Sequence, residues 1–464
     1  MEFKSIHPLK ALTHFDGRNG EKVAILSPYF SELAWMGYRL RVMSAYIIFL
    51  IEEGVIPNQN AGLNQIRDDS FSNLTVGDGE RIWELEKITN HDLRALELFF
   101  KEKLKTVNLG ELSPYVNLGI GAEDINNVAL RLSIREAWRK VLLPAIRELL
   151  VALITFCEPL ISVPLLARTH GQPASVTTFG KEMALFIQRL TSEFEIFRYL
   201  EFKPKFSGEV GNANSLVYLL TKQDWSEMER KFLKELGFTR IAPGTQIPPY
   251  DDIIQFFNIL CRINRILVGF CRDIWQYASF GYLTIENVRG ESGSTGMPHK
   301  INPQYFEGAE GGLEFANSMF EFFAHKLALN RLQRDFSDST VRRNFVIPFA
   351  YSLLSYQSLV TGIKRVQVNK IRLAEDLYHH WEVLSETLTT ALKLSGRDDA
   401  HDLVKEVLRG KTIDQRTWKK LIRNLPLSER YQKKLLILTP DQLTGDSESI
   451  AKRIIKNAKK ELSL

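Results

Sequence analysis

The sequence predicts an all-α fold of three helical domains with a central bundle of long helices. Two observations favour helices: strand patterns are weak, and apolar residues recur at spacings of three and four over segments far longer than a typical helix of about 11 residues. Each segment is apolar around much of its circumference, which is typical of helices enclosed by others in a bundle or in a subunit interface.

Five segments carry the longest helical patterns. The spacing predicts helices over residues 130–157, 175–200, 250–282, 303–329 and 346–366. Proline and glycine separate them from an earlier region, and shorter, more charged helices follow. We therefore expect an N-terminal domain over residues 1–111, a central bundle with a catalytic loop over residues 112–363, and a C-terminal domain over residues 364–464.

Composition is that of an ordinary soluble protein. The 464 residues are 44% hydrophobic and 25% charged, enough for large buried cores. No apolar run is expected to reach the roughly 18 residues of a membrane span, and the N-terminus lacks the apolar block of a secretory signal. We expect a cytoplasmic protein without a membrane or nucleic-acid partner, whose net charge of +5 suits a small anionic substrate.

Three cysteines, Cys157, Cys261 and Cys271, all lie in apolar helical sequence, and no CxxC pair occurs among them. This spacing indicates neither a disulfide framework nor a zinc site. Buried free thiols are expected, and no metal site is predicted.

Four polar clusters interrupt the helical pattern. The first, TNHDLRAL, places Asn90, His91 and Asp92 at the start of a helix, where Asn90 is expected to be the N-cap unless the cluster has a chemical role. The second, LLARTHGQPASV, puts His170 just before a Gly-Gln-Pro that interrupts the helical pattern. An imidazole there can give or take a proton near neutral pH. Taken alone, either cluster could be purely structural.

The third cluster, GESGSTGMPHKINPQYFEGAEGG, is a glycine-rich polar loop. Its hydroxyls and backbone N–H groups could close over an anion, with Lys300 and Asn302 supplying charge and hydrogen bonds and Glu307 at the start of a helix. The fourth cluster, NRLQRDFSDSTVRRNF, combines arginines with hydroxyls, which suits the binding of a phosphate or carboxylate. A run of charged residues that only faces solvent would have a similar composition.

The motifs RTHGQPA and MPHKINP, in this order, resemble the signature of the fumarase/aspartase superfamily of lyases. Further segments, among them EDINN, TQIPPYD and QRDFSDSTVRRN, are similar to the bacterial adenylosuccinate lyases over nearly the whole chain. The resemblance implies a homotetramer with active sites shared between subunits, no cofactor, and elimination of fumarate from adenylosuccinate and from succinyl-aminoimidazole-carboxamide ribotide.

The same resemblance implies residue roles. Ser294 would be the base and His170 the acid, with Glu307 orienting His170 and Lys300 and Asn302 holding the succinyl carboxylate. The other substrate-binding residues that it implies are Arg18, Asn19, Asn90, His91, Asp92, Gly121, Ala122, Gln246, Thr295, Arg334, Ser339, Thr340 and Arg343.

Five changes, one of them at a pair of residues, depart from the family pattern. A Thr-Ser pair is replaced by Gly121-Ala122, and the remaining changes are Asn19, Gly296, Gly308 and Tyr250. Losing two hydroxyls should cost about 1.5 to 3 kcal/mol per charged hydrogen bond unless backbone N–H groups near Gly121 replace them. Two alternatives therefore stay open: a lyase acting on another nitrogen-substituted succinate, and a non-catalytic scaffold.

Overall fold

A computed structural model describes residues 7–57, 63–67, 71–239, 242–291 and 293–463. It is 67% helical with 4% strand, which confirms the all-α prediction. The helices before the first strand are α1 (Gly20–Val23), α2 (Ser27–Phe30), α3 (Glu32–Glu52), α4 (Leu63–Arg67), α5 (Val76–Thr89), α6 (Asp92–Thr106), α7 (Ala122–Ala137) and α8 (Leu143–Cys157).

Two short antiparallel strand pairs interrupt the helices. They are β1 (Pro164–Thr169) with β2 (Gln172–Thr178), and β3 (Leu283–Ile285) with β4 (Val366–Val368). The helices between β2 and β4 are α9 (Phe179–Arg198), α10 (Asn214–Leu219), α11 (Trp225–Glu235), α12 (Asp251–Ser279), α13 (Gln304–Leu327), α14 (Ser337–Arg342) and α15 (Val346–Arg365). The last helices are α16 (Lys370–Tyr378), α17 (Ser385–Leu394), α18 (Ala400–Leu408), α19 (Gln415–Asn424), α20 (Glu429–Ile437) and α21 (Ser447–Glu461).

The long predicted helices match these bounds with two corrections. The segment predicted from residue 175 begins its helix only at Phe179, because residues up to Thr178 belong to β2, whose β-branched Val176 and Thr177 favour an extended chain. The segment over residues 130–157 is not one continuous α-helix, since a π-helical turn at Trp138–Leu142 separates α7 from α8.

The described chain forms two compact units. The first unit comprises the described residues of Met1–Ala145, Ile196–Arg262 and Glu314–Leu354, and the second unit those of Ile146–Glu195, Ile263–Leu313 and Ser355–Leu464. The division into three domains stays a prediction.

Buried aromatic rings fill the core of the first unit. The ring of Phe257 lies 5.2 Å from that of Phe320 and 5.0 Å from that of Phe345, measured between centroids. A fully buried ion pair between Arg131 of α7 and Asp252 of α12, 2.7 Å apart, ties two helices together. The middle of α7 is therefore held against the start of α12.

The second unit contains the β1–β2 hairpin and a C-terminal helical cluster. Trp381 and Trp418 are buried in that cluster with leucines of α17 and α18, and the indole of Trp418 donates to the Leu435 carbonyl at 3.0 Å. Burying large aromatic side chains gives a small helical cluster most of its stabilisation.

The three cysteines are free and buried, as the sequence predicts. Burial raises the pKa of the Cys157 and Cys271 thiols to about 12, so both stay protonated near neutral pH. Within the described residues no group of three or more His, Cys, Asp or Glu side chains is placed to hold a metal ion.

Three helical stretches are long and apolar enough to cross a membrane by length and composition alone. They are Gly20–Glu52, Asp251–Ser279 and Ser337–Arg365, so the expectation that no segment reaches this length is wrong. Between 61% and 67% of their most apolar windows is buried inside the protein.

Candidate active site

A cavity of about 620 Å³ opens in the first unit. The structure brings a large part of the predicted substrate-binding set together around it: Asn90, His91, Asp92, Ala122, Gln246, Arg334, Ser339 and Arg343. These residues come from the α5–α6 junction, the start of α7, the loop before α12 and the region of α14. Segments far apart in the sequence therefore share one cavity.

The α5–α6 junction presents three of these side chains. Asn90 ends α5 in a left-handed conformation with φ 49°, and His91 is the N-cap of α6, its Nδ1 accepting from the Arg94 N–H at 3.2 Å. The expectation that Asn90 is the N-cap is wrong by one residue, because Asn90 instead reverses the chain. Burial raises the pKa of Asp92, but Arg39 at 2.8 Å outweighs it and holds that pKa below its usual value.

A network of ion pairs forms one wall of the cavity. Arg334 contacts Glu123 at 3.0 Å and Asp338 at 2.9 Å. Arg342 contacts Glu123 at 3.1 Å, and the hydroxyl of buried Tyr250 donates to Asp338 at 2.7 Å. Tyr250, one of the positions predicted to depart from the family pattern, thus contacts the arginines indirectly, through Asp338.

Glu123 gives this wall a pH-dependent stability. Burial raises the pKa of Glu123, but the charges of Arg342 and Arg334 lower it by more. The folded-state pKa therefore lies below the ordinary 4.5. The stabilisation is therefore fully present above the unfolded pKa and is lost as the pH falls through the folded pKa.

We expect Glu123→Gln to destabilise the protein by about 1.5 to 3 kcal/mol near pH 7, because hydrogen bonds to a charged group are lost. Below the ordinary pKa of 4.5 the difference from the unsubstituted protein should shrink. Urea unfolding between about pH 3 and 7 measures this difference. A gap that stays constant over this range would contradict the assignment.

The backbone at Gly121 does not offer a free donor. Its N–H donates to Asp124 Oδ2 at 2.8 Å, so this one N–H cannot replace the lost hydroxyls, and a role for the other N–H groups at the start of α7 stays a prediction. Asp124 lies in the first turn of α7, and its carboxylate accepts this N–H as part of the N-terminal capping of the helix.

The remaining predicted residues of the first unit lie elsewhere. Among the residues that the structure describes, the cavity lining does not include Arg18, Asn19, Gly121 or Thr340. Asn19 Nδ2 lies 2.8 Å from His14 Nδ1, and His14 Nε2 lies 3.1 Å from the Tyr351 hydroxyl. If Asn19 donates, His14 carries its proton on Nε2, and Asn19 orients the ring beside the exposed Arg18.

The predicted acid, His170, lies in the second unit at the tip of the β1–β2 hairpin. Thr169 pairs with Gln172, and the two turn residues both have positive φ, 52° at His170 and 76° at Gly171. Positive φ at both central positions is the pattern of a type I′ turn. A non-glycine residue in this conformation is uncommon, and the turn places the exposed imidazole at the tip of the hairpin.

Ser294 and its neighbours form a loop that is closed on itself. The Ser294 hydroxyl accepts from the Met297 N–H at 3.1 Å, and the Asn302 amide donates to the Gly293 carbonyl at 2.8 Å. A Cβ on Gly293 would collide with the carbonyl of Lys300, so glycine is required by this close approach. Ser292, in the same cluster, lies outside the described residues, and Thr295 follows Ser294 in the loop.

Glu307 contacts Trp275 rather than His170 in this chain. The indole Nε1 of Trp275 donates to Glu307 Oε1 at 3.1 Å, and within the described residues no hydrogen bond joins Glu307 to His170. The predicted pairing of Glu307 with His170 stays a prediction.

Several cavity residues were not anticipated from the sequence. They are Tyr29, Trp35, Glu86, Glu123, Asn126 and Glu209. The four-residue spacings from Arg334 to Asp338 and from Asp338 to Arg342 are local signals that predict part of this network. Glu209 had no such signal, because its partners lie far away in the sequence.

Comparisons with known proteins match nearly the whole length of the chain. A family model described as Lyase matches residues 17–314, and one described as Adenylosuccinate lyase C-terminal matches residues 330–444. The adenylosuccinate lyase of Legionella pneumophila (strain Corby) is 39% identical over 448 residues, 96% of this chain and 98% of that protein. That of Buchnera aphidicola (subsp. Baizongia pistaciae) is 37% identical, covering 96% and 97%.

A solved structure shares the fold. The fumarate lyase of Mesorhizobium sp. BNC1 superposes with a TM-score of 0.74 at 19% identity, covering 94% of this chain and 97% of that one.

Proposed function

The chain belongs to the adenylosuccinate lyase family of the fumarase/aspartase superfamily, and from this premise we propose that it releases fumarate from adenylosuccinate to give AMP. It is a carbon–nitrogen lyase. The assignment of adenylosuccinate as the substrate rests on the 39% identity to an adenylosuccinate lyase over 96% of the chain. We propose succinyl-aminoimidazole-carboxamide ribotide as a second substrate.

The reaction divides into two proton transfers. A base removes a proton from the succinyl carbon next to a carboxylate, the C–N bond breaks as the double bond of fumarate forms, and an acid protonates the departing nitrogen. We assign the base to Ser294 and the acid to His170, with Lys300 and Asn302 stabilising the negative charge that develops on the carboxylate. No cofactor is required for this step.

The loop geometry supports Ser294 as the base. A serine can take a proton from carbon only as its alkoxide, which must be stabilised, and the Met297 N–H already points at Ser294 Oγ at 3.1 Å. A hydrogen bond to the charged form lowers a pKa. We assign the phosphate to Arg18, Ser339 and Arg343, since guanidinium groups and hydroxyls bind tetrahedral oxyanions well.

We also propose a homotetramer in the cytoplasm, with active sites shared between subunits. Large apolar side chains on the long helices support an assembly, because they stay exposed in one chain: 46% for Trp275, 50% for Phe315 and 54% for Phe322. Light scattering should give a mass of about four chains, and a monomer at micromolar concentration would contradict the proposal.

Incubation with adenylosuccinate tests the function. We expect the ultraviolet spectrum to change as AMP and fumarate form, with both products identified by chromatography. Turnover of another nitrogen-substituted succinate in place of adenylosuccinate would support a changed substrate. A folded tetramer that is inert toward all of them would instead support a scaffold.

A further inference from the structure

At one corner of the cavity, the lining carboxylate of Glu209 lies beside Gly121, a glycine just outside the lining. Gly121 has no side chain, and a Cβ built on it would lie 2.7 to 2.8 Å from the carboxyl atoms of Glu209. The amide Nε2 of Gln246 donates to Glu209 Oε2 at 2.8 Å. The carboxylate of Glu209 thus occupies the space that a hydroxyl-bearing side chain at position 121 would need.

The backbone around this corner is firmly fixed. Gly211, with φ 81°, approaches the Gly244 carbonyl so closely that no Cβ fits. The buried Lys205 ammonium donates to the Gly208 carbonyl and to the Gln246 carbonyl, the latter at 3.0 Å. The segments that carry Glu209 and Gln246 are therefore held together, and the Glu209 side chain projects from a rigid support.

The charge of Glu209 is not balanced within its own unit. In the described part of the chain, Glu209 forms no ion pair with a lysine, arginine or histidine, whereas Glu123 in the same cavity is paired with Arg334 and Arg342. A carboxylate can only accept hydrogen bonds. The chemistry of this corner therefore calls for a ligand group that donates, such as a hydroxyl or an amino group, and disfavours a second carboxylate.

We propose that Glu209, given room by Gly121, is a specificity-determining residue that accepts a hydrogen bond from a hydroxyl or amino group of the nucleotide. This inference rests on the proposed function. Gln246 orients the carboxylate by donating to Glu209 Oε2. A side chain at position 121 would displace the carboxylate from that position.

Nucleotide binding tests the proposal without turnover. AMP, IMP (without the amino group), 2′-deoxy-AMP and 3′-deoxy-AMP are titrated calorimetrically into the tetramer and into its Glu209→Ala variant. We expect Glu209→Ala to weaken AMP binding about 10- to 100-fold, which is the loss of one charged hydrogen bond. For the analogue that lacks the recognised donor, the variant and the unsubstituted protein should bind within about 2-fold of each other.

Further variants separate recognition from general damage. Gly121→Ser alone should weaken AMP binding. Added to Glu209→Ala, it should weaken AMP binding little further. Val210→Ala, a neighbour outside the cavity lining, should bind AMP normally. Equal or tighter AMP binding by Glu209→Ala, an equal loss for all four nucleotides, or no AMP binding by the unsubstituted protein would overturn the proposal.

The two proposals can fail independently. Turnover of adenylosuccinate with no effect of Glu209→Ala on nucleotide binding removes the role of Glu209 and leaves the lyase function standing. Absence of turnover, together with donor-dependent AMP binding, removes the lyase function and keeps the role of Glu209.

Discussion

Replacing Ser294 by alanine is expected to lower kcat for adenylosuccinate by about 10² to 10⁴-fold, the usual contribution of a positioned general base. The KM should change little, because the hydroxyl acts in the proton transfer rather than in ground-state binding. Only the hydroxyl oxygen is removed, and the Met297 N–H that it accepts at 3.1 Å loses its partner in a solvent-exposed loop. The fold should therefore persist.

Steady-state kinetics and circular dichroism on the same preparation measure this effect. Ser318→Ala is the matched control, since Ser318 is an exposed serine of α13 whose hydroxyl donates to the Phe315 carbonyl, and it should keep the unsubstituted rate. Thr295→Ala distinguishes the two neighbouring hydroxyls: the larger loss of kcat should fall on Ser294. A Ser294→Ala enzyme within about 3-fold of the unsubstituted kcat would remove Ser294 from the mechanism.

Replacing Lys205 by methionine is expected to destabilise the protein by about 3 to 5 kcal/mol, the usual cost of removing one partner from a buried ion pair. Lys205 and Asp124 are both fully buried and 2.9 Å apart. Methionine fills similar volume but leaves the Asp124 carboxylate without its cation. The same ammonium also binds the Gln246 carbonyl at 3.0 Å, so the cavity should lose its shape as well.

The midpoint of urea unfolding measures this loss. Lys222→Met provides the control, because Lys222 is exposed and its replacement should change stability by no more than about 0.5 kcal/mol. The double variant Lys205→Met with Asp124→Asn should recover part of the loss, since it removes the unpaired buried charge. If Lys205→Met unfolds at the same urea concentration as Lys222→Met, the buried pair does not hold this region together.

Helical periodicity and short motifs made much of the molecule predictable. The bounds expected for the segments at residues 250–282, 303–329 and 346–366 differ from α12, α13 and α15 by a few residues at most, because the apolar spacing of a buried helix is visible along the chain itself. The helical periodicity does not predict the strand at Gln172–Thr178, because Val176 and Thr177 are only a weak local signal and the strand is stabilised mainly by its pairing with β1.

The sequence by itself determined the all-α class and which residue types are available for elimination, since both follow from local spacing and motif letters. Only the tertiary structure decided that Arg342 binds Glu123, 219 positions away, that Gly121 faces Glu209, and that the Gly121 N–H is already taken by Asp124. Such contacts depend on how the chain packs, because residues distant in sequence meet only after the helices have assembled, and no local pattern encodes which partner each will find.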